Sequence, residues 1–158
     1  MPAADIVEID LPTADDTAAC ALQLAPRLGA GDCILLEGSL GAVKTHFART
    51  LIQRRLAEFG KIEDVPSPTY TLVQTYHAGP LEILHADLYR LGSADELIEL
   101  GLDEAFGSAL ILIEWPDRLG DMAPTDALCL RFEFREHGRV LRASGPDRLL
   151  QYIRAFDG

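Results

Sequence analysis

A chain of 158 residues with 48% apolar content can bury one sizeable core, and its length predicts a single domain over residues 1–158. A formal charge of -11, from 14 basic and 25 acidic residues, opposes stable binding to nucleic acid, whose phosphates favour basic surfaces. The first twenty residues hold carboxylates but no Lys or Arg, which argues against a signal or transit peptide, and no apolar run approaches the ~18 residues of a membrane span. Cys20, Cys33 and Cys129 are widely spaced among apolar neighbours and form no C-x-x-C pair, as expected of small core residues in the reducing cytoplasm.

Residues 5–11 alternate apolar and acidic side chains, which predicts a short strand with one wet face, ended by Pro12. Thr13 with Asp16 three residues on is close to a capping box, and Ala14, Ala18, Ala21, Leu22, Ala25 and Leu28 form the apolar stripe of the helix it would start. Gly29 and Gly31 stop that helix and lead into the apolar run Cys33-Ile34-Leu35-Leu36-Glu37, a buried strand. Next comes Gly38-Ser39-Leu40-Gly41-Ala42-Val43-Lys44-Thr45. Between a strand and a helix this reads as a phosphate loop, whose backbone N–H groups face phosphate oxygens while a lysine reaches the terminal phosphates and a Ser/Thr hydroxyl takes a place on magnesium. Lys44 and Thr45 fit the last two roles. The pattern asks for glycine where Val43 stands, and a positive φ there would strain a β-branched residue by roughly 1–2 kcal/mol.

The following helix turns Phe47, Leu51, Ile52 and Leu56 inward and leaves Arg49, Arg54 and Arg55 as a mostly solvated face, ending at Gly60. Residues 65–73 begin with two prolines and become β-rich; a stiff loop of this kind, with Ser67 and Thr69 hydroxyls, suits a switch beside a nucleotide, although by residue type alone a plain loop is the better reading. Strands over 71–76 and 81–86 around a turn at 77–80 make a hairpin. Alternation puts His85 and Asp87 on one face, too few ligands for a dedicated metal site. Asp87 reads equally as a strand-end carboxylate orienting water or as a turn cap. His77 and His137 fall in turns and read as surface residues.

Two short acidic helical pieces, 95–100 and 103–106, hinge at Gly101. The run Ala109-Leu110-Ile111-Leu112-Ile113 ends in Glu114-Trp115-Pro116 and predicts a central parallel strand buried on both faces. A carboxylate at its carboxyl end is where a magnesium-organising acid sits in open α/β sheets. Trp115 is either a lid over a base or a core plug. Residues 127–134 and 139–143 alternate around a turn at 136–138, a second antiparallel hairpin, and residues 148–156 close the chain as a helix. The expected fold class is α/β: a P-loop NTPase-like domain with a central, largely parallel sheet, helices on both faces and antiparallel hairpin additions.

In this order the segments resemble the TsaE (YjeE) family of small bacterial P-loop ATPases. The residues that carry the resemblance are Leu36-Glu37-Gly38, Leu40-Gly41-Ala42 and Lys44-Thr45; Ser67 to Val73; His85-Ala86-Asp87-Leu88-Tyr89-Arg90-Leu91; Glu96-Leu97 with Leu100-Gly101-Leu102; and Ile113-Glu114-Trp115. The resemblance implies an ATP/ADP and Mg2+ site held by Gly38, Leu40, Gly41, Ala42, Val43, Lys44, Thr45 and His46, with Thr69 in a switch-like loop and Trp115 near the nucleotide. It implies magnesium on Thr45 and Glu114, and Lys44, Asp87 and Glu114 as the catalytic set, with Asp87 orienting the attacking water. It also implies an ATP-driven helper of TsaD-like and TsaB-like partners, which transfer a threonylcarbamoyl group to adenosine 37 of tRNA. The chain departs from the family pattern at Ser39, Val43 and His46, where Asp, Gly and Thr are usual. Two other readings stand beside this one: a nucleotide-impaired interaction subunit of the same complex, its site closed by Val43, and a small P-loop kinase, for which no lid segment is found.

Overall fold

The computed structural model describes residues 6–38, 41–93, 95–136 and 138–156. Along them run β1 (Val7–Leu11), α1 (Ala14–Leu24), β2 (Cys33–Glu37), α2 (Gly41–Ala57), β3 (Val73–Ala78) and β4 (Leu81–Asp87). The second half contains α3 (Asp95–Glu99), α4 (Leu102–Ala105), β5 (Leu110–Glu114), β6 (Leu128–Arg135), β7 (Gly138–Ser144) and α5 (Asp147–Arg154). Asp5, Ser39, Leu40 and His137 lie outside the described residues.

The strands form one sheet in the order β1-β7-β6-β2-β5-β4-β3. Its centre is parallel, with β2 flanked by β5 and β6, and β4 beyond β5. The flanks are antiparallel: β3 returns on β4, β7 on β6, and β1 on β7. This is the largely parallel α/β sheet with hairpin additions that the residue pattern predicts. As expected, the apolar run of β5 lies inside, wholly buried between two parallel neighbours.

Strand alternation divides the core between the two faces. Ile34, Leu36, Ile83, Leu110 and Leu112 pack with the buried sides of α1, α2 and α5. Cys33, Leu35, Leu84, Ala86, Ile111 and Ile113 pack with Leu97 of α3 and Leu102 of α4. The long helix α2 therefore covers one face of the parallel centre, and short helical pieces cover the other. By the same parity His85 and Asp87 share the face of Ile83, and Glu114 that of Leu112, so all three lie on the side of α2. Among the described residues no helix is long and apolar enough to cross a membrane.

The Thr13–Asp16 capping box forms as expected, in both directions. The stripe behind it is met in part: Ala21, Ala25 and Leu28 are buried as expected, together with Thr17, Cys20 and Leu24, whereas Ala14 and Leu22 are exposed. Leu24 continues the spacing that starts at Thr17, and Pro26 then converts the chain to a 3-10 turn over Ala25–Arg27. The 71–76 strand begins later, at Val73, because Leu72 adopts a positive φ of 68° that ends the preceding turn. The arginine face of α2 is only partly solvated. Arg49 Nε donates to the Val65 carbonyl at 2.8 Å, and Arg55 Nη1 donates to the carbonyl of Ala25 at 2.9 Å and to that of Leu28. Both side chains tie α2 to backbone carbonyls of neighbouring segments. Burial pushes the Cys20 and Cys33 thiols up to about 12, in keeping with inert core residues.

Candidate nucleotide site

The site lies at the carboxyl ends of β2, β5 and β4, where open α/β sheets collect ligands. Gly38 leaves β2 with φ +112°, and a Cβ there would stand 2.2 Å from the Phe132 carbonyl oxygen. Only glycine lets the loop pass so close to β6. Helix α2 then starts at Gly41, earlier than the sequence reading placed it, so that Lys44 and Thr45 belong to its first turns. Its opening turn carries no acidic side chain, and the unpaired N–H groups of a helix start favour an anion.

Val43 is part of that helix. Its side chain is buried in the core cluster with Phe47 and Ile34, and positive φ occurs among described non-glycine residues only at Leu72 and Trp115. The backbone strain anticipated at Val43 therefore does not arise in this conformation, because the residue is helical and its side chain points into the core.

Lys44 is wholly buried, and its Nζ has no hydrogen-bond partner among the described residues. It lies 3.7 Å from the centroid of the Trp115 ring, a cation–π contact that meets only part of what an ammonium requires. Burial pushes its pKa down, while the charges of Glu114, Asp87 and Asp117 pull it back up. Trp115 itself has φ 59° at the end of β5, a costly conformation for a bulky residue that concentrates at functional sites. The turn aims the indole at Lys44 and against Tyr89, whose ring centroid is 4.9 Å away. Trp115 is thus a partly buried cover on the lysine.

Behind Lys44, the Thr45 hydroxyl donates to Glu114 at 2.9 Å to Oε1 and 3.1 Å to Oε2. The two residues expected to share a magnesium ion are thus in direct contact. His85 Nε2 lies 2.8 Å from Glu114 Oε2, and both side chains are buried. Asp87 stands opposite Glu114 in the β4–β5 register and accepts the Tyr89 N–H at 3.0 Å. Burial pushes the Asp87 carboxyl up. The Tyr89 N–H counteracts this, and the nearby Glu114 charge adds to the rise.

Two clefts meet at Trp115. One, of about 400 Å3, is lined by Glu37, Gly38, Lys44, Asp117 and Arg131. The other, of about 380 Å3, brings together Gly41, Ala42, Thr45, Thr69, Asp87 and Glu114, and adds Arg49 and Ser67. The loop that by residue type reads as plain thus faces the site, with the Ser67 and Thr69 hydroxyls 2.7 Å apart. Leu40 lies outside the described residues. The His46 side chain turns elsewhere, toward α1, where Nε2 donates to the Ala14 carbonyl at 3.2 Å.

Sequence reasoning missed Arg49 at the cleft and His85 on Glu114. Face parity was the only signal for His85, and none pointed to Arg49. Thr45, Glu114 and Asp87 supply oxygen donors of the kind a hard cation takes. Among the described residues no group of three or more His, Cys, Asp or Glu could hold a metal by itself.

Comparison with known proteins agrees with this geometry. The model of a family described as threonylcarbamoyl adenosine biosynthesis protein TsaE matches residues 11–142. A Rickettsia felis protein named tRNA threonylcarbamoyladenosine biosynthesis protein TsaE is 34% identical over 145 residues, which cover 89% of this chain and 83% of the relative. A Bacillus subtilis protein of the same name is 36% identical over 115 residues, 72% of this chain and 69% of the relative. The crystal structure of Bacillus subtilis YdiB superposes with a TM-score of 0.74 at 25% identity, over 99% of this chain and 97% of that one. The match runs from β1 through the phosphate loop to β7, and the chain belongs to the TsaE family.

Proposed function

We propose that this protein is a P-loop ATPase of the cytoplasm that binds Mg-ATP between β2 and α2 and hydrolyses it in support of tRNA threonylcarbamoylation. The observation that carries the reading is the buried Lys44 ammonium with no hydrogen-bond partner beside the Thr45–Glu114 pair. A buried cation without acceptors is costly, and a β,γ-phosphate would supply the missing acceptors. Backbone N–H groups at the start of α2 bind phosphate oxygens, and Lys44 takes the terminal ones. Thr45 and Glu114 hold magnesium, which when bound neutralises phosphate charge. Asp87 orients and deprotonates water, a task suited to a carboxyl raised by burial. Ser67 and Thr69 line the same cleft as Thr45 and Glu114.

The relatives' names speak of tRNA threonylcarbamoyladenosine biosynthesis, and on that basis the partners are TsaD-like and TsaB-like proteins that carry out the transfer to adenosine 37. The charge of -11 suits a subunit that leaves tRNA to them.

One observation favours a second reading. The Trp115 ring covers the Lys44 ammonium, which agrees with an interaction subunit whose nucleotide site stays closed. Calorimetric titration of Mg-ATP and Mg-ADP into this protein and its Val43→Gly variant separates the two. Comparable binding by both forms is expected, because the valine side chain lies in the core. Binding by the glycine form alone would favour the interaction subunit, and binding by neither would overturn the ATPase reading.

A further inference from the structure

The structure assigns to His85 the positioning of Glu114, a role that rests on the Mg-nucleotide reading above and extends it to a residue outside the loop. His85 sits near the carboxyl end of β4 with 0% of its side chain exposed, and Glu114 is 1% exposed. In the sheet His85 stands opposite Leu112, two residues before Glu114. Its ring therefore reaches diagonally along the shared face to Glu114 Oε2 at 2.8 Å.

A carboxylate only accepts, so His85 Nε2 carries the proton and donates. The Thr45 hydroxyl grips the same carboxylate from α2. Glu114 is thus held between two elements, and its remaining lone pairs are left for a hydrated cation.

Packing does not explain the imidazole. Its Nδ1 is buried with no partner among the described residues, and an apolar side chain of similar volume would fill the space without that penalty. The one side-chain hydrogen bond of His85 among the described residues is the one that fixes the rotamer of Glu114. Groups that orient a metal-organising side chain typically change metal affinity or activity 10–100-fold when removed.

The test compares wild type with His85→Phe, which fills the space without a donor, and His85→Gln, whose amide can donate to the same oxygen. Thermal unfolding establishes that each is folded, and His85→Met replaces the phenylalanine variant if that one is not. ADP is titrated by calorimetry without and with magnesium, and turnover is followed against ATP and magnesium concentration. In His85→Phe, ADP affinity without magnesium should match wild type. The gain that magnesium gives should fall about tenfold, and kcat should fall by a similar factor while KM for ATP holds. His85→Gln should recover most of both.

Wild-type magnesium dependence in the apolar variant, or a loss in His85→Gln as large as in His85→Phe, overturns the positioning role and leaves the nucleotide reading intact. Failure of the wild-type protein itself to bind ADP with magnesium overturns both.

Discussion

Two polar side-chain contacts of nearly equal length lie at opposite sides of the sheet. In the β1–β7–β6 wing, Arg142 Nε meets Glu8 Oε2 at 2.9 Å, with the two side chains 42% and 49% exposed. At the ends of β4 and β5, His85 meets Glu114 at 2.8 Å with both side chains buried. The wing pair belongs to a lattice in which Glu8 also faces Arg135 and Arg142 also faces Glu133. Each of its charges has water as an alternative partner, so the lattice contributes little and is screened by salt. The side chains of the inner cluster of Lys44, His85, Asp87 and Glu114 are almost wholly withdrawn from water. Two of its polar atoms, Lys44 Nζ and His85 Nδ1, have no partner among the described residues. Distance alone therefore says little about what a pair contributes. Burial separates charges kept for solubility from charges kept at a cost in stability for chemistry.

The largest effect that would sharpen this contrast is expected at Lys44. Lys44→Met should weaken Mg-ATP binding about 100-fold or more, as removal of a charged partner from phosphate does, while raising the melting temperature. The lysine pKa is lowered by burial, so between the lowered folded value and the ordinary one the unfolded chain binds the extra proton. Stability of the native protein accordingly rises with pH across that window, and near neutrality the buried ammonium is a liability. Calorimetry and thermal unfolding of the same samples check both halves. A methionine variant less stable than wild type at neutral pH would break the comparison.

Asp87→Asn should lower turnover about 100-fold, within the range for removal of a general base, while nucleotide affinity changes little. Because burial raises the Asp87 pKa, its contribution is fully present below the ordinary carboxyl value of about 3.9. It is lost as pH rises through the folded value. The asparagine variant should therefore gain stability relative to wild type at neutral pH and lose that advantage on acidification. Urea unfolding at several pH values measures this, and a pH-independent difference would mean that the hydrogen bond from the Tyr89 N–H offsets the effect of burial. The smallest effect belongs to the wing. Arg142→Ala should cost less than about 1 kcal/mol by urea unfolding, and less still in 1 M salt. A loss comparable to that of a buried group would show that the lattice behaves as a cooperative network.

Elements and their order were legible in the sequence because they depend on local chemistry. The apolar run of β5 could only be buried, Thr13 and Asp16 could only cap, and the stretch around Lys44 and Thr45 had a strand before it and a helix after it. The misreadings share a cause. Leu22 reads as part of the buried stripe because a periodic pattern does not say which of two adjacent phases faces the sheet. Arg49 and Arg55 read as mostly solvated because the carbonyls they bind belong to segments 16 and 30 residues away in the chain. At Val43 the concern was a backbone conformation that the helix start at Gly41 makes unnecessary.

What the sequence determined by itself is the strand–loop–helix order around Lys44 and Thr45, the strand parity that sends His85, Asp87 and Glu114 to particular faces, and membership of the TsaE family through motifs in order. What only the tertiary structure decided is which of those side chains meet. Parity is a property of one strand, whereas the register of β4 on β5 depends on how two segments separated by α3 and α4 settle against a shared core. That register puts Asp87 beside Glu114 and brings His85 within a hydrogen bond of it. The turn at Trp115, with its positive φ, likewise sets an indole over Lys44, because a contact between residues 44 and 115 is made by packing and leaves no trace in local pattern.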